Sequence, residues 1–392
     1  MKILNTVEFY HPSKGGAQEV VRQLSERLVK LGHEVVVATT KLPERKENIS
    51  NGVVIKSFDI SGNDVRGYRG DIGAYREFLV NSDFDILMNY AAQQWATDLC
   101  LPLLDRIRAK KVFVPCGFSG LFDPAYEAYF KKVADLMPKY DANIFLSNSY
   151  RDIEFARKND ISNLYVIPNG CGLDEFGEVP EIDFRRKFGI KPDDFLIIHV
   201  GSHTGLKGHR ELYEIFKKSN IRDAVLLIIG NPVPGGCQFS CTKKSVFFNF
   251  SWQRFKSNKR VIVKDLSRTD TVAAYHAADL FLFPSNIECS PIVLFEAAAS
   301  RTPFLTTDVG NAHEIVEWTQ GGQVLPTKKH VNGYSQADID QSSAMLSIVW
   351  KSSKLREQLA SAGYNAWLSK FTWERIAKEF ESLFLSLSGQ DA

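Results

Sequence analysis

The chain has 392 residues, 44% hydrophobic and 24% charged, too long for one ordinary domain and too apolar for a disordered one. Lys and Arg number 48 against 46 Asp and Glu, a formal charge of +2, which lacks the basic excess of nucleic-acid proteins and leaves no nucleic-acid partner expected. Six cysteines without CxxC pairing, a first apolar run too short for a signal peptide, and no run near the ~20 apolar residues of a membrane span predict a cytoplasmic protein.

Short β-branched runs alternate with amphipathic helical patterns almost from end to end, which predicts an α/β protein with parallel sheets. In the first half strands are expected at 2–7, 33–40, 53–58, 85–90, 110–115, 143–148 and 164–169. Between the first two lie Gly15 and Gly16, followed by a helix whose apolar stripe is Val20, Val21, Leu24, Leu28 and Leu31. Two readings of the glycines are open: a turn needing positive φ, or a loop whose bare backbone N–H groups approach a diphosphate. The weaker pattern of 170–194, rich in Gly and Pro, reads as a connection. The boundary is placed near residue 175, giving domains 1–175 and 176–371. Strands restart at 195–202, 224–231, 260–265, 279–285, 303–307 and 322–326, and a closing helix is expected within 372–392. Two doubly wound sheets would take a ligand at the carboxyl ends of their strands.

The segment "ECSPIVLFEAAAS" (288–300) concentrates the chemistry. Ser290 suits an N-cap and Pro291 the first helical position, so a helix is expected from Pro291 to about Ser300. Its first N–H groups, near Ile292 and Val293, and its positive dipole end form an anion site. Glu296 then lies roughly 7–8 Å along the axis and Glu288 in the loop before the cap. A carboxylate accepts two hydrogen bonds at once, which suits the paired hydroxyls of a ribose or a hexose. The order ribose, diphosphate, sugar of a nucleotide-sugar fits Glu296, the helix start and Glu288. The plain alternative is a solvated helix glutamate and a loop charge.

This segment resembles the E-x7-E element of retaining glycosyltransferases with the GT-B fold, glycosyltransferase family four in particular. Other stretches resemble that family in the expected order: "PSKGGAQEVVRQLSERLVKLGHEVVVATT" (12–40), "VIPNGCGLDEF" (166–176), "HVGSHTGLKGH" (199–209), "DVGNAHEIVE" (308–317) and "FTWERIAKEF" (371–380). The resemblance implies two Rossmann-like domains around a cleft, an acceptor-side first domain completed by the closing helix, and a second domain for the donor. It also implies a nucleoside-diphosphate sugar donor of UDP or GDP type, a glycan or glycolipid acceptor, and neither cofactor nor metal. Glu288 and Lys207 carry the implied catalytic roles. Donor contacts fall to Gly15, Gly16, Gly201, Ser202, His203, Cys289, Ser290, Pro291, Ile292, Val293 and Glu296, with Cys116 facing the sugar. Two positions depart from the pattern: Ser202 stands where the family often has Arg, and Cys116 where it often has His.

Several features compete with this reading. "GSHTGLKG" is one residue short of a P-loop and has Gly208 in place of its Ser or Thr. Asp83-Phe84-Asp85 and Asp338-Ile339-Asp340 match a metal-binding DxD formally but sit where caps are expected. Cys237 and Cys241 lack His or Cys neighbours at zinc spacing in the sequence and read as free thiols. Residues 241–260 interleave Phe247, Phe248, Phe250, Trp252 and Phe255 with Lys243, Lys244, Arg254, Lys256, Lys259 and Arg260. That pattern fits a peripheral membrane contact, or a core-facing helix with solvated bases. A nicotinamide dehydrogenase is excluded because G-x-G-x-x-G is missing after the first strand. An epimerase of the same fold, or a nucleotide-sugar-binding protein without turnover, stays as the alternative.

Overall fold

The computed structural model describes residues 1–389, apart from the side chains of Gln253 and Arg254. The chain forms two compact units, one of Met1–Asn169 with the segment from Trp373, the other of Gly170–Thr372. The division therefore falls at Asn169–Gly170, a few residues before position 175. Residues 390–392 of the expected closing segment lie outside the described residues.

The first unit is built on a sheet ordered Leu164–Val166, Ala142–Phe145, Lys110–Val114, Ile86–Tyr90, Lys2–Thr6, Glu34–Thr40, Val53–Phe58 and Ile49–Ser50. All neighbours are parallel except the last pair. A hairpin of Ile60–Asn63 and Gly67–Gly70, and the short strand Ile49–Ser50, have no counterpart in the expected strands. The helix Gly16–Lys30 buries its expected stripe of Val20, Val21, Leu24 and Leu28, which the sheet face demands. Gln23, Glu26 and Arg27 on another face are buried as well. The closing helix, Trp373–Ser388, lays Ile376, Ala377, Phe380 and Phe384 inward and meets Arg27, whereas Glu26 accepts from Asn51 Nδ2 at 3.0 Å. Arg27 donates to Glu374 Oε1 at 2.8 and 3.0 Å, and His33 meets Glu381 at 2.8 Å.

The second unit has a fully parallel sheet ordered Lys259–Lys264, Ala224–Ile229, Phe195–Val200, Leu280–Phe283, Phe304–Thr306 and Gly322–Val324. Its central strands Ala224–Ile229, Phe195–Val200 and Leu280–Phe283 are near-continuous apolar runs because both faces are covered. Ile197 and Leu226 pack with Leu212, Ile215 and Phe216 on one side. Leu196, Ile198 and Leu227 pack with Phe295 and Trp367 on the other. A small antiparallel pair, Thr327–Lys329 with Ser335–Ala337, is added beyond the expected strands.

Phe380 is 2% exposed, so Phe380→Ala is expected to cost the first unit about 3–5 kcal/mol. Urea unfolding of the full chain and amide exchange across Gly16–Lys30 check this. Unchanged exchange there would mean that the closing helix does not hold that face.

Candidate active site

In the second unit, Phe195–Val200 lies between the strand that follows it and Leu280–Phe283, so the chain leaves these two central strands in opposite directions. Such a switch point leaves room for a ligand beyond the strand ends. The two loops there, 201–208 and 284–291, are held together by backbone. Gly208 has φ +67, and a Cβ on it would lie 1.7 Å from the Pro284 carbonyl oxygen. Asn286 N–H donates to Leu206 O at 3.0 Å.

This contact delivers Lys207 Nζ to Glu288 Oε1 at 2.7 Å, and Ser285 Oγ donates to the same oxygen at 2.7 Å. The Glu288 side chain is only 12% exposed and that of Lys207 27%, so water screens the pair less than it would at an open surface. A third loop supports Glu288 from behind: Asn311 N–H donates to Cys289 O at 2.8 Å, and a Cβ on Gly310 would meet that oxygen at 2.2 Å.

The helix after Glu288 spans Ile292–Ala299, and Pro291, with extended backbone, occupies the cap position. The expectation that Ser290 caps and Pro291 opens the helix is corrected by one residue. The first intrahelical bond runs from Leu294 N–H to Pro291 O at 3.2 Å, so the N–H groups of Ile292 and Val293 precede the ladder. Glu296 is buried, and Arg268 Nη1 reaches its Oε1 at 2.7 Å. Arg268 also grips Glu175 at 2.9 and 3.2 Å and lies 5.2 Å from the Phe176 ring centre. Sequence reasoning missed Arg268, which belongs to no motif; a cation in the helix opposite a buried helix acid was the available signal.

The first unit holds the expected positions Gly15, Gly16 and Cys116. Gly15 is extended and Gly16 starts its helix; neither is in the left-handed region, so the turn reading of these glycines is corrected. A Cβ on Gly16 would meet nothing within 4 Å, and one on Gly15 only the flexible Gln18 side chain. The helix start has no side-chain cap. At the end of strand Lys110–Val114, Cys116, Gly117 and Phe118 are all left-handed, as are Ala91 and Gln93 after the neighbouring strand. Strain of this kind gathers at strand ends that do chemistry. Gly117 N–H donates to Asp152 Oδ2, and Arg151 Nε donates to Gly117 O, each at 2.8 Å.

Ser202 Oγ donates to Asn231 Oδ1 at 2.7 Å. His203 is buried and faces Cys237. The reading of Cys237 and Cys241 as thiols remote from metal-ligand partners is corrected: ligand atoms of His203, His209, Cys237 and Cys241 all lie within 4.8 Å of one another. Chain spacing hid this because the two halves of the group come from separate loops. The DxD matches have structural roles, with Asp338 capping its helix through Gln341 N–H and Asp85 accepting from Lys2 N–H.

Across 241–260 the outcome is divided. Phe248 packs against Tyr213 and Phe216, and Lys259 is buried with its Nζ on the Phe216 carbonyl at 2.7 Å. Those two residues are corrected out of any surface patch, while Arg260, half-buried, donates to Gly189 O at 2.7 Å. Phe247, Phe250, Trp252 and Phe255 are 67–82% exposed, joined by exposed Phe239, Lys243, Lys244 and Lys256. The Arg254 side chain lies outside the described residues. Among those residues no helix is long and apolar enough to cross a membrane.

Comparison with known proteins adds the following. A family model described as Glycosyltransferase Family 4 matches residues 14–175, and one described as Glycosyl transferases group 1 matches 181–366. N-acetyl-alpha-D-glucosaminyl L-malate synthase of Bacillus anthracis is 22% identical, covering 97% of this chain and 96% of its own. Lipopolysaccharide 1,2-N-acetylglucosaminetransferase of Salmonella typhimurium is 23% identical, and the match spans 62% of each chain. Among solved structures, sucrose-phosphate synthase from Thermosynechococcus elongatus superposes with a TM-score of 0.79 over 99% of both chains at 18% identity. HepE of Anabaena, in complex with UDP and glucose, gives 0.72 over 98% of this chain and 100% of its own at 14% identity. These likenesses show the fold.

Burial pushes the carboxyls of Asp98 and Asp152, both in the first unit, up to about 6. An unfolded aspartate titrates near 3.9, at about pH 4, so between these values the folded unit holds protons that the unfolded chain releases. The associated stability is full below about pH 4 and is lost as the pH rises through about 6. Asp152→Asn should therefore compare more favourably with the parent at pH 7 than at pH 4 in urea titrations. A difference that does not move with pH would overturn burial as the dominant influence.

Proposed function

The chain belongs to the glycosyl transferases of group 1 and has the GT-B fold, and from that premise we propose that it moves a sugar from a nucleoside diphosphate to an acceptor hydroxyl with retention of configuration. The observation that carries this reading is the Lys207–Glu288 pair at the switch point, beside a helix start with N–H groups ahead of its ladder. The diphosphate leaves on the face that the acceptor enters, and its oxygen helps take the acceptor's proton. Lys207 and the N–H groups of Ile292 and Val293 stabilise the charge gathering on that leaving group. In the first unit, Gly15 and Gly16 present the bare backbone of an uncapped helix start, which suits an anionic group. Glu288 accepts hydrogen bonds from the sugar hydroxyls, and Glu296 from the ribose, sharing its carboxylate with Arg268.

The reading is metal-independent at the reacting centre, since charge neutralisation falls to Lys207 and backbone and both DxD sequences have other roles. It places the donor on the second unit and acceptor choice on the first. HepE solved with UDP and glucose supports a uridine donor within the UDP or GDP class, and the lipopolysaccharide transferase among the relatives supports a glycan or glycolipid acceptor. The expected assay result is slow release of nucleoside diphosphate from one member of a panel of UDP-, GDP- and ADP-sugars, without added magnesium or manganese. Lys207→Ala and Glu288→Ala should each lower that rate by about 10²-fold or more. Absence of binding to every donor would sink the proposal.

A glycolipid acceptor also gives the exposed aromatic and basic residues of 239–256 an occupant, an anionic membrane surface on which the protein sits peripherally. Aromatic rings enter the headgroup boundary while lysines meet the anionic charge. Co-sedimentation with vesicles containing phosphatidylglycerol should be strong. It should fall in a Phe247→Ser, Trp252→Ser double variant and vanish with neutral phosphatidylcholine; equal pelleting of variant and parent would exclude this surface.

A further inference from the structure

His203, in the 201–208 loop, and His209, just after it, form a compact group with Cys237 and Cys241 to which the proposed transfer gives no role. Cys237 caps the helix Gln238–Asn249 and Cys241 stands one turn inside it, so both thiols share a face. His203 comes from the loop after Phe195–Val200, and His209 begins the helix His209–Lys218 behind Gly208. Cys237 Sγ lies 3.6 Å from His203 Nδ1 and 3.4 Å from His209 Nδ1. With Zn–S near 2.3 Å and Zn–N near 2.0–2.1 Å, ligand atoms of a tetrahedral zinc are roughly 3.3–3.8 Å apart, so those two edges are already at coordination length. We propose that His203, His209, Cys237 and Cys241 bind one zinc ion in a closed His2Cys2 site that fixes the 201–208 loop to the Gln238–Asn249 helix.

Three further observations support the assignment. The backbone sets the geometry without the ion: Cys237 N–H donates to His203 O at 2.8 Å, His203 N–H donates to Asn231 O at 3.1 Å, and a Cβ on Gly236 would lie 1.8 Å from the His203 oxygen. Both imidazoles are buried and stacked 4.6 Å apart, with their Nδ1 atoms converging on Cys237 Sγ. Cys241 is buried as well, so the group is largely closed to solvent.

Binding replaces the two thiol protons with Zn–S bonds and releases them to solvent, with no change of oxidation state. Four protein ligands leave no open position, so the ion is structural and its role is distinct from sugar transfer.

The test uses tag-free full-length protein kept under a thiol-free reductant. Elemental analysis after zinc loading and gel filtration should find zinc equimolar with the chain. Cobalt titration should give the intense visible bands and sulfur-to-metal charge transfer of a tetrahedral thiolate site. Cys237→Ser and Cys241→Ser should each lose the stoichiometric zinc and the charge-transfer band, and removal of zinc from the parent should speed amide exchange in both 201–208 and Gln238–Asn249. Substoichiometric zinc with no cobalt–thiolate band in the unsubstituted protein would overturn the proposal, whatever the variants do. So would metal retained at full stoichiometry in both serine variants.

Discussion

Gly208 stands where a Cβ would come within 1.7 Å of the Pro284 carbonyl oxygen, so the loops after two adjacent central strands can close on each other only through bare backbone. The left-handed conformation at Gly208 turns the chain at once into the helix His209–Lys218. It leaves Lys207 at the last position before that turn, directed at the second loop. Had the two strands been joined in simple succession on one side, their loops would run the same way over the sheet and leave no space for a ligand. The ion pair at 2.7 Å is thus a consequence of topology first and of charge second.

Charge then decides what this place can do. Each of the two acids of the E-x7-E element already has a cation: Lys207 on Glu288, and Arg268 on the buried Glu296. The cations offset part of the cost of taking these carboxylates out of water. They also differ in the hold they exert. Lys207 is a single flexible ammonium that can turn toward an incoming diphosphate, whereas Arg268 is fixed by Glu175 and the Phe176 ring as well. In the proposed reaction this separates a mobile charge at the leaving group from a fixed one at the ribose.

How far the sequence reaches is governed by the distance over which each feature is encoded. The expected strands are all present, because a β-branched run between polar turns carries its own evidence. Small additions, such as Ile60–Asn63 with Gly67–Gly70, escaped because their few residues have no apolar period. The helix Gly16–Lys30 was legible on its sheet face alone: Arg27 is polar, and its buried guanidinium is met by Glu374 on a helix some 350 residues later. Glu288, Glu296 and Lys207 were singled out through local motifs. Arg268 and the convergence of His203 and His209 on Cys237 and Cys241 were not, because each is a meeting of segments with no common sequence period. The cap at Pro291 missed by one residue for a local reason, since proline tolerates either side of a helix start.

The second unit joins features that the sequence presents as unrelated. The helix Gln238–Asn249 carries Cys237 and Cys241 at its start, buried Phe248 in its middle, and exposed Phe239, Phe247 and Phe250 on its outer side. Its inner side is seated against Tyr213 and Phe216 of the helix that His209 begins. A hold at both ends of that seat, by aromatic packing at one and metal coordination at the other, would leave the helix little freedom to slide relative to Lys207. Packed elements move between discrete arrangements rather than deform gradually. A surface that engages the outer aromatics would therefore act on the 201–208 loop as a rigid body, with no separate relay required between them.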